Sequence, residues 1–372
     1  MDCRLCAQPI SDKLFSLDNF PRAAQYFPDT SEFEEDKGVT LVVLQCQWCG
    51  LIQLSNDPVD YYKEVITAAS MSQASKDRLV SRFQPIISRY DLVGKNTLEV
   101  GCGTGEVVKV LNEIGLNASG LEYSDRNVTQ AKKRNIPVTQ GYIEDYHSDL
   151  KADFFVCLNY LEHQPYPGKF LKNVHRNLDQ NAVGYITVPN FKFLIGNSAL
   201  HEFVADHLVY FTNDTLQTAM ETSGFQVLDL KLINNENDIS VTVMKRPALQ
   251  VVGHMEELNN KKNKLKKFAD RVCGEGRRLA IWGAGHRALA LMSLSNLSQI
   301  TAIIDSAPFK QGCFSPLLHK EIISPDDIDR YKIEVILIML PGNYASEVQN
   351  FIKNNHKNME LYVFNEVEID KV

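Results

Sequence analysis

Apolar positions change their spacing several times along the chain. Residues 1 to 70 are irregular, with one strand-like run, VTLVVLQ at 39–45. In ASKDRLVSRFQPIISRY (74–90), Leu79, Phe83, Ile87 and Tyr90 recur every three or four positions, which predicts a helix with one apolar face. The spacing then alternates. NTLEV (96–100), NASGLEY (117–123), IPVTQ (136–140), DFFVCL (153–158) and VGYITVP (183–189) read as strands, with helical patterns near 105–115, 124–134 and 167–178. Strands alternating with helices predict a parallel, doubly wound sheet. NDTLQTAMETSGF follows as a helix for Thr212 or Asn213 to cap, and FQVLDLKL and DISVTVMKR, joined by INNEN, predict an antiparallel pair.

A second alternation closes the chain. Residues 254–272 carry Met255, Leu258, Leu265, Phe268 and Val272 on one helical face with lysines elsewhere, which reads as a solvated connecting helix. RRLAIWGAGHRALALM, ITAIIDSA, EVILIMLPG and MELYVF then repeat the strand and helix rhythm. The pattern divides the chain into a cysteine module (1–70), a Rossmann-like α/β domain (71–250) and a smaller Rossmann-like α/β domain (251–372).

With 372 residues and 44% hydrophobic content, the chain can build several cores, so disorder is excluded. A net charge of −7 argues against nucleic acid as a partner, since that function shows as a basic stripe. The start, MDCRLCAQPI, lacks the pattern of a signal peptide, and no apolar run has the length to span a bilayer. The expectation is a soluble, cytoplasmic protein with no membrane partner.

Four of the eight cysteines form two hooks, Cys3-x-x-Cys6 and Cys46-x-x-Cys49. In a reducing compartment, four thiolates in paired hooks suit a structural zinc ion in a closed tetrahedral shell. The interval between hooks is long, so a redox pair or an unmetallated cluster stays open as an alternative. Trp48, inside the second hook, is expected to pack the small core.

LEVGCGTGE (98–106) carries the densest signal. A strand containing Glu99 runs into Gly101, Gly103 and Gly105, where the backbone can turn tightly and approach a ligand, and the next strand ends in Glu122. An acid at that tip suits the two hydroxyls of a ribose. EVGCGTG with the downstream GLE resembles the first motif and second-strand acid of class I S-adenosylmethionine-dependent methyltransferases, in which a terminal antiparallel pair also follows the alternating strands. The resemblance implies cofactor contacts at Gly101, Gly103 and Glu122, with Glu99 and Gly105 completing the loop. In QGYIED (140–145), where that family places its adenine contact, Ile143 and Glu144 are candidates, and Tyr142 stands at the common aspartate position.

The order of modules resembles the sugar C-methyltransferases that act on nucleotide-linked 4-keto deoxysugars. The likeness rests on CxxC…CxWCGLIQL, LNYLEH (158–163), VPN (188–190), DHLVYF and WGAGHRA…DSAPFKQG. It implies a nucleotide-sugar substrate and an acid–His pair, here Asp206-His207. Methylating carbon requires removal of a proton beside a ketone, for which histidine is suited. His207 is therefore the expected base and Asp206 the residue that orients it. His163 is expected as a polar partner with Asn159 near it. The family tyrosine before the pair is absent, since the chain reads Phe203-Val204-Ala205. Tyr61 and Tyr62 lie where the family supplies another, and Tyr62 is the candidate.

In the last domain Gly283 and Gly285 match only part of a dinucleotide fingerprint, and Asp305 ends the next strand. The resemblance implies that this domain helps hold the nucleotide diphosphate, with Arg287 and Lys310 as phosphate partners. Methylation of oxygen or nitrogen on a related sugar or small metabolite, and a non-catalytic zinc-containing binding or assembly protein, are the alternative readings.

Overall fold

The structure, a computed structural model, describes residues 1–25, 27–64, 71–356 and 358–372. It divides into two units, Met1–Ala248 and Leu249–Val372.

The first unit holds β1 (Lys13–Phe20), β2 (Val39–Gln45), β3 (Ile52–Leu54), β4 (Asn96–Val100), β5 (Asn117–Glu122), β6 (Val138–Gln140), β7 (Ala152–Leu158), β8 (Leu178–Pro189), β9 (Val209–Tyr210), β10 (Phe225–Ile233) and β11 (Asp238–Lys245). Its helices are α1 (Gln73–Arg89), α2 (Glu106–Glu113), α3 (Asp125–Lys133), α4 (Pro167–Arg176), α5 (Phe191–Gly196) and α6 (Asn213–Thr222). The main sheet runs β10-β11-β8-β7-β4-β5-β6. It is parallel from β6 to β8, and only β11 runs against the rest, pairing antiparallel with β8 on one side and β10 on the other. Strand order reverses beside β4, so the sheet leaves its ligand crevice at the carboxyl end of that strand.

Strand periodicity sorts the core. On β7, Phe154 and Val156 join the apolar cluster of α1 to α3, while Phe155 and Cys157 face the cluster that includes α4 and α6. Helix α1 buries Leu79, Phe83 and Ile87, and the Phe83 ring lies edge-on to Phe154 and Tyr185 with centroids 6.2 and 5.3 Å away. Truncating such a ring costs about 3–5 kcal/mol. Thr212 caps α6 in a reciprocal capping box with Thr215.

The cysteine segment belongs to this same unit rather than standing alone. Its sheet runs β1-β2-β3-β9 and takes its last strand from the loop that carries Asp206 and His207. Residues 65–70, the end of the expected cysteine module, lie outside the described residues.

The second unit comprises α7 (Val252–Gly274), β12 (Leu279–Trp282), α8 (His286–Leu294), β13 (Ala302–Ile304), β14 (Ile322–Ile323), β15 (Val335–Ile338), α9 (Tyr344–Asn355), β16 (Glu360–Phe364) and β17 (Ile369–Lys371). Its sheet, β14-β13-β12-β15-β16-β17, is parallel except for β17. Among the described residues no helix is long and apolar enough to cross a membrane.

Candidate functional site

The four hook cysteines converge. Their sulfurs all lie within 4.8 Å of one another, with Cys3–Cys49 at 3.5 Å and Cys6–Cys46 at 3.6 Å. Four thiolates about 2.3 Å from one zinc ion would stand about 3.8 Å apart, so the donor set and its spacing suit that metal. Arg4, between the first two cysteines, is buried and donates to the carbonyls of Leu54 (3.2 Å), Asn56 (2.7 Å) and Pro165 (3.3 Å). The hook thereby holds the loop that follows His163. Trp48 does not pack the small core: it is 74% exposed.

The glycine loop is shaped by contacts a side chain would destroy. Gly101 has φ of +75°, and a Cβ there would meet the Tyr160 ring at 2.8 Å. Gly105, the N-cap of α2, has φ of +80°, and its Cβ would meet Ile136 at 2.7 Å. Glu122 accepts from the Gly103 amide (2.9 Å), the Ser124 amide (2.9 Å) and Asn127 Nδ2 (3.4 Å). A carboxylate has about four acceptor positions, so capacity remains for one further donor such as a ribose hydroxyl. Burial raises its pKa. Glu99 lies buried beneath the loop, its pKa pushed well up by burial, with Oε2 unpartnered among the described residues. Ile143 is buried near this loop cluster, whereas Glu144 is tied to Lys169 at 2.7 Å. Tyr142, buried, meets Tyr62 and Tyr123 edge-on at 6.4 and 6.2 Å, and the Lys63 ammonium stands 4.7 Å from its ring centre.

The second cluster gathers around His207. The His163 and His207 rings meet edge to face with centroids 4.6 Å apart, and a Glu162 carboxylate oxygen lies within 4.8 Å of a nitrogen of each. His163 Nδ1 stands 2.9 Å from the Asp206 backbone carbonyl, which only accepts, so the proton sits on Nδ1 and the lone pair on Nε2. Burial and then His163 push His207 down to about 3, and burial also lowers His163. Both rings rest neutral. Burial raises Glu162 to about 8, and its Oε2 has no hydrogen-bond partner among the described residues.

Asp206 departs from the expectation that it orients His207. Its carboxylate accepts from the Tyr61 hydroxyl at 2.7 Å and the Ala24 amide at 2.7 Å, and only its carbonyl serves the histidine pair. Tyr61, not Tyr62, is the tyrosine that reaches this loop, while Tyr62 stacks at the glycine-loop end. Asn159, at φ of +45°, bonds Thr187 and Asp238 rather than either histidine. Glu162 and Arg4 escaped sequence reading. Glu162 could have been suspected from its place beside His163 in LNYLEH, whereas nothing local marks Arg4.

In the second unit, Asp305 accepts from the Ala284 amide (2.8 Å), the Ala307 amide (2.9 Å) and Lys310 Nζ (3.0 Å). Burial alone would raise Asp305, but these donors bring its pKa below the usual range. Arg287 stands 3.7 Å from Glu366. Lys310 and Arg287 thus already face acids in this unit.

Two family models match the chain, a methyltransferase domain over residues 71–230 and a C-methyltransferase C-terminal domain over 231–364. The chain is similar to ubiquinone biosynthesis O-methyltransferases. One from Rickettsia felis is 29% identical over 120 residues, 30% of this chain and 49% of the relative. One from Coxiella burnetii is 26% identical over 181 residues, 43% of this chain and 77% of the relative. The chain spans about half the length of the Rickettsia relatives it matches. A solved S-adenosylmethionine-dependent methyltransferase from Clostridium acetobutylicum superposes with a TM-score of 0.41 and 14% identity, covering 50% of this chain and 96% of that one.

Proposed function

We propose that this chain, an S-adenosylmethionine-dependent methyltransferase that includes a C-methyltransferase C-terminal domain, moves a methyl group to carbon beside the ketone of a nucleotide-linked deoxysugar. The observation that carries this reading is the pair of neutral imidazoles, buried His163 and half-buried His207, in the same unit as the glycine loop. A base that takes a carbon-bound proton must rest unprotonated, and His207 does. Its low proton affinity rises only when an enolate forms beside it, since the imidazolium then has a counter-charge in the same pocket.

In this scheme His207 accepts the α-proton, the electron pair of the C–H bond becomes the enolate, and the enolate carbon attacks the methyl group carried by the cofactor. S-adenosylhomocysteine leaves. Glu122 holds a ribose hydroxyl, Gly101 and Gly103 let the backbone approach, and Tyr61 fixes Asp206, which in turn fixes His163. Glu99 acts from beneath the loop. Cys3, Cys6, Cys46 and Cys49 would hold a zinc ion, which would supply structure and no chemistry, because four sulfur donors fill its shell. Ile143 borders the adenine.

A second reading, transfer to oxygen, is favoured by the names of the relatives, which are O-methyltransferases. Both readings are separated by incubating a panel of nucleotide-linked 4-keto-6-deoxysugars in heavy water with and without S-adenosylmethionine. Carbon transfer predicts enzyme-dependent deuterium beside the ketone, lost in His207→Ala, together with cofactor-dependent methyl addition. Methyl addition without exchange would assign oxygen or nitrogen.

A further inference from the structure

A cavity of about 580 Å³ opens in the first unit between α1, the first turn of α2 and the turn joining β10 to β11. Leu79, Val107 and Leu158 give it an apolar side, while Arg78, Arg82, Asn234 and Asn235 give it a polar one. Arg78 and Arg82 stand one helical turn apart, a spacing at which like charges repel. Arg78 donates to Ser75 Oγ at 2.8 Å and Arg82 to Asn234 Oδ1 at 2.5 Å, so both guanidinium groups rest on neutral oxygens. Among the described residues neither has an acid partner. Two cations brought to one cavity without a counter-charge call for an anion.

The turn opposite is held in one conformation. Asn234, Asn235 and Glu236 follow one another in the left-handed region, at φ of +52°, +54° and +69°. Asparagine enters that region readily, and hairpin turns such as this one between β10 and β11 use it once a partner holds the loop. Asp238 enforces it here: buried beneath the turn, it accepts from Asn234 Nδ2, from Asn237 Nδ2 at 3.4 Å and from Asn159 Nδ2 at 3.3 Å. It is the one acid joined to this wall in the described network, and three amides occupy its oxygens. The cavity wall and Asn159 therefore share one carboxylate. Leu158, which lines the cavity, ends β7 next to β4, so the cavity lies beside the crevice that the glycine loop borders.

We propose that this cavity receives the phosphate or diphosphate of the methyl acceptor, clamped by Arg78 and Arg82. A guanidinium fork matches phosphate oxygens in pairs. That the anion belongs to the acceptor rests on the nucleotide-sugar reading above, whereas the anion chemistry rests on the cavity alone.

The test is calorimetric titration of the full chain and of R78Q/R82Q with inorganic pyrophosphate, with uridine diphosphate and, separately, with S-adenosylmethionine. The expected result is at least tenfold weaker binding of pyrophosphate and uridine diphosphate by the variant, with cofactor affinity within twofold. Three results would overturn the proposal: no measurable pyrophosphate binding by the unsubstituted chain, equal binding by the variant, or cofactor affinity falling alongside, which would give the arginines to the methionine carboxylate. Thermal melting checks the fold, and if the double variant melts early, R78Q alone, at an exposed position, carries the same comparison. Pyrophosphate binding is read without any sugar or methyl transfer, so its loss stands even if the sugar reading fails.

Discussion

Tyr61 donates its phenolic hydrogen to Asp206 Oδ1 at 2.7 Å, joining the segment after the cysteine sheet to the loop that carries His207. A hydrogen bond to a carboxylate contributes about 1.5–3 kcal/mol. Tyr61→Phe should therefore lower kcat by about 10- to 100-fold if the loop must be held in the transition state, with KM for S-adenosylmethionine nearly unchanged. Steady-state kinetics on the acceptor identified by mass spectrometry would read this, and an unchanged kcat would leave Tyr61 a purely structural residue.

Glu162 and His207 give stability a pH dependence of opposite signs. Glu162, raised from 4.5 to about 8, keeps a proton in the folded state that the unfolded chain has lost, so stability falls as pH climbs from 4.5 to about 8. The full effect is on the order of 5 kcal/mol at most. His207, lowered from 6.5 to about 3, contributes in the reverse direction, with stability lost as pH falls below 6.5. Above pH 6.5 only the glutamate term remains. Thermal melts should show the unsubstituted protein less stable at pH 8.5 than at pH 6.5, and Glu162→Gln should lessen that decline, with Glu99, also raised by burial, keeping a share of it.

The cysteine centre should hold one zinc per chain by elemental analysis. Replacing it with cobalt should give the visible bands of a tetrahedral thiolate site. Cys49→Ala should lose the metal and, because Arg4 in the first hook binds the Pro165 carbonyl, should also disturb the loop beyond His163. Activity would fall by this route although no zinc-bound atom takes part in the reaction. Full activity in a metal-free variant would remove the structural role.

Gly101→Ala places a methyl group 2.8 Å from the Tyr160 ring at a φ of +75°. The left-handed conformation alone costs about 1–3 kcal/mol. Cofactor affinity, followed by calorimetry, should drop at least tenfold. Glu122→Gln should weaken it too: the Gly103 amide bonds one carboxylate oxygen and the Ser124 amide the other, so the substitution leaves one of the two amides facing a donor.

Local signals were legible wherever a single element decides the outcome. NTLEV and VTLVVLQ became β4 and β2 with their expected bounds, because each is a short apolar run bounded by turn residues or by polar ones. Thr212 was legible as a cap for the same reason. What sequence reading missed depends on distant partners. β1 alternates between exposed and half-buried positions, so it lacks an apolar face to announce it. β3 and β9 are two or three residues long and exist because they pair with each other. The adjacency of Asp206 and His207 suggested a contact, but neighbours along the chain point apart, and the carboxylate found Tyr61 instead. Trp48 had no local feature to reveal its exposure.

The pairing of β3 with β9 also imposes an order on how the molecule is made. A ribosome delivers both cysteine hooks long before it delivers Val209 and Tyr210, so the nascent segment can load its metal while one strand of its sheet still waits, with unpaired amides and carbonyls along β3. That edge closes only after the whole parallel sheet from β4 to β8 has emerged. The loop bearing His207 is thus the last piece fitted into the small sheet, and its arrival registers that the strands from β4 to β8 have already been made.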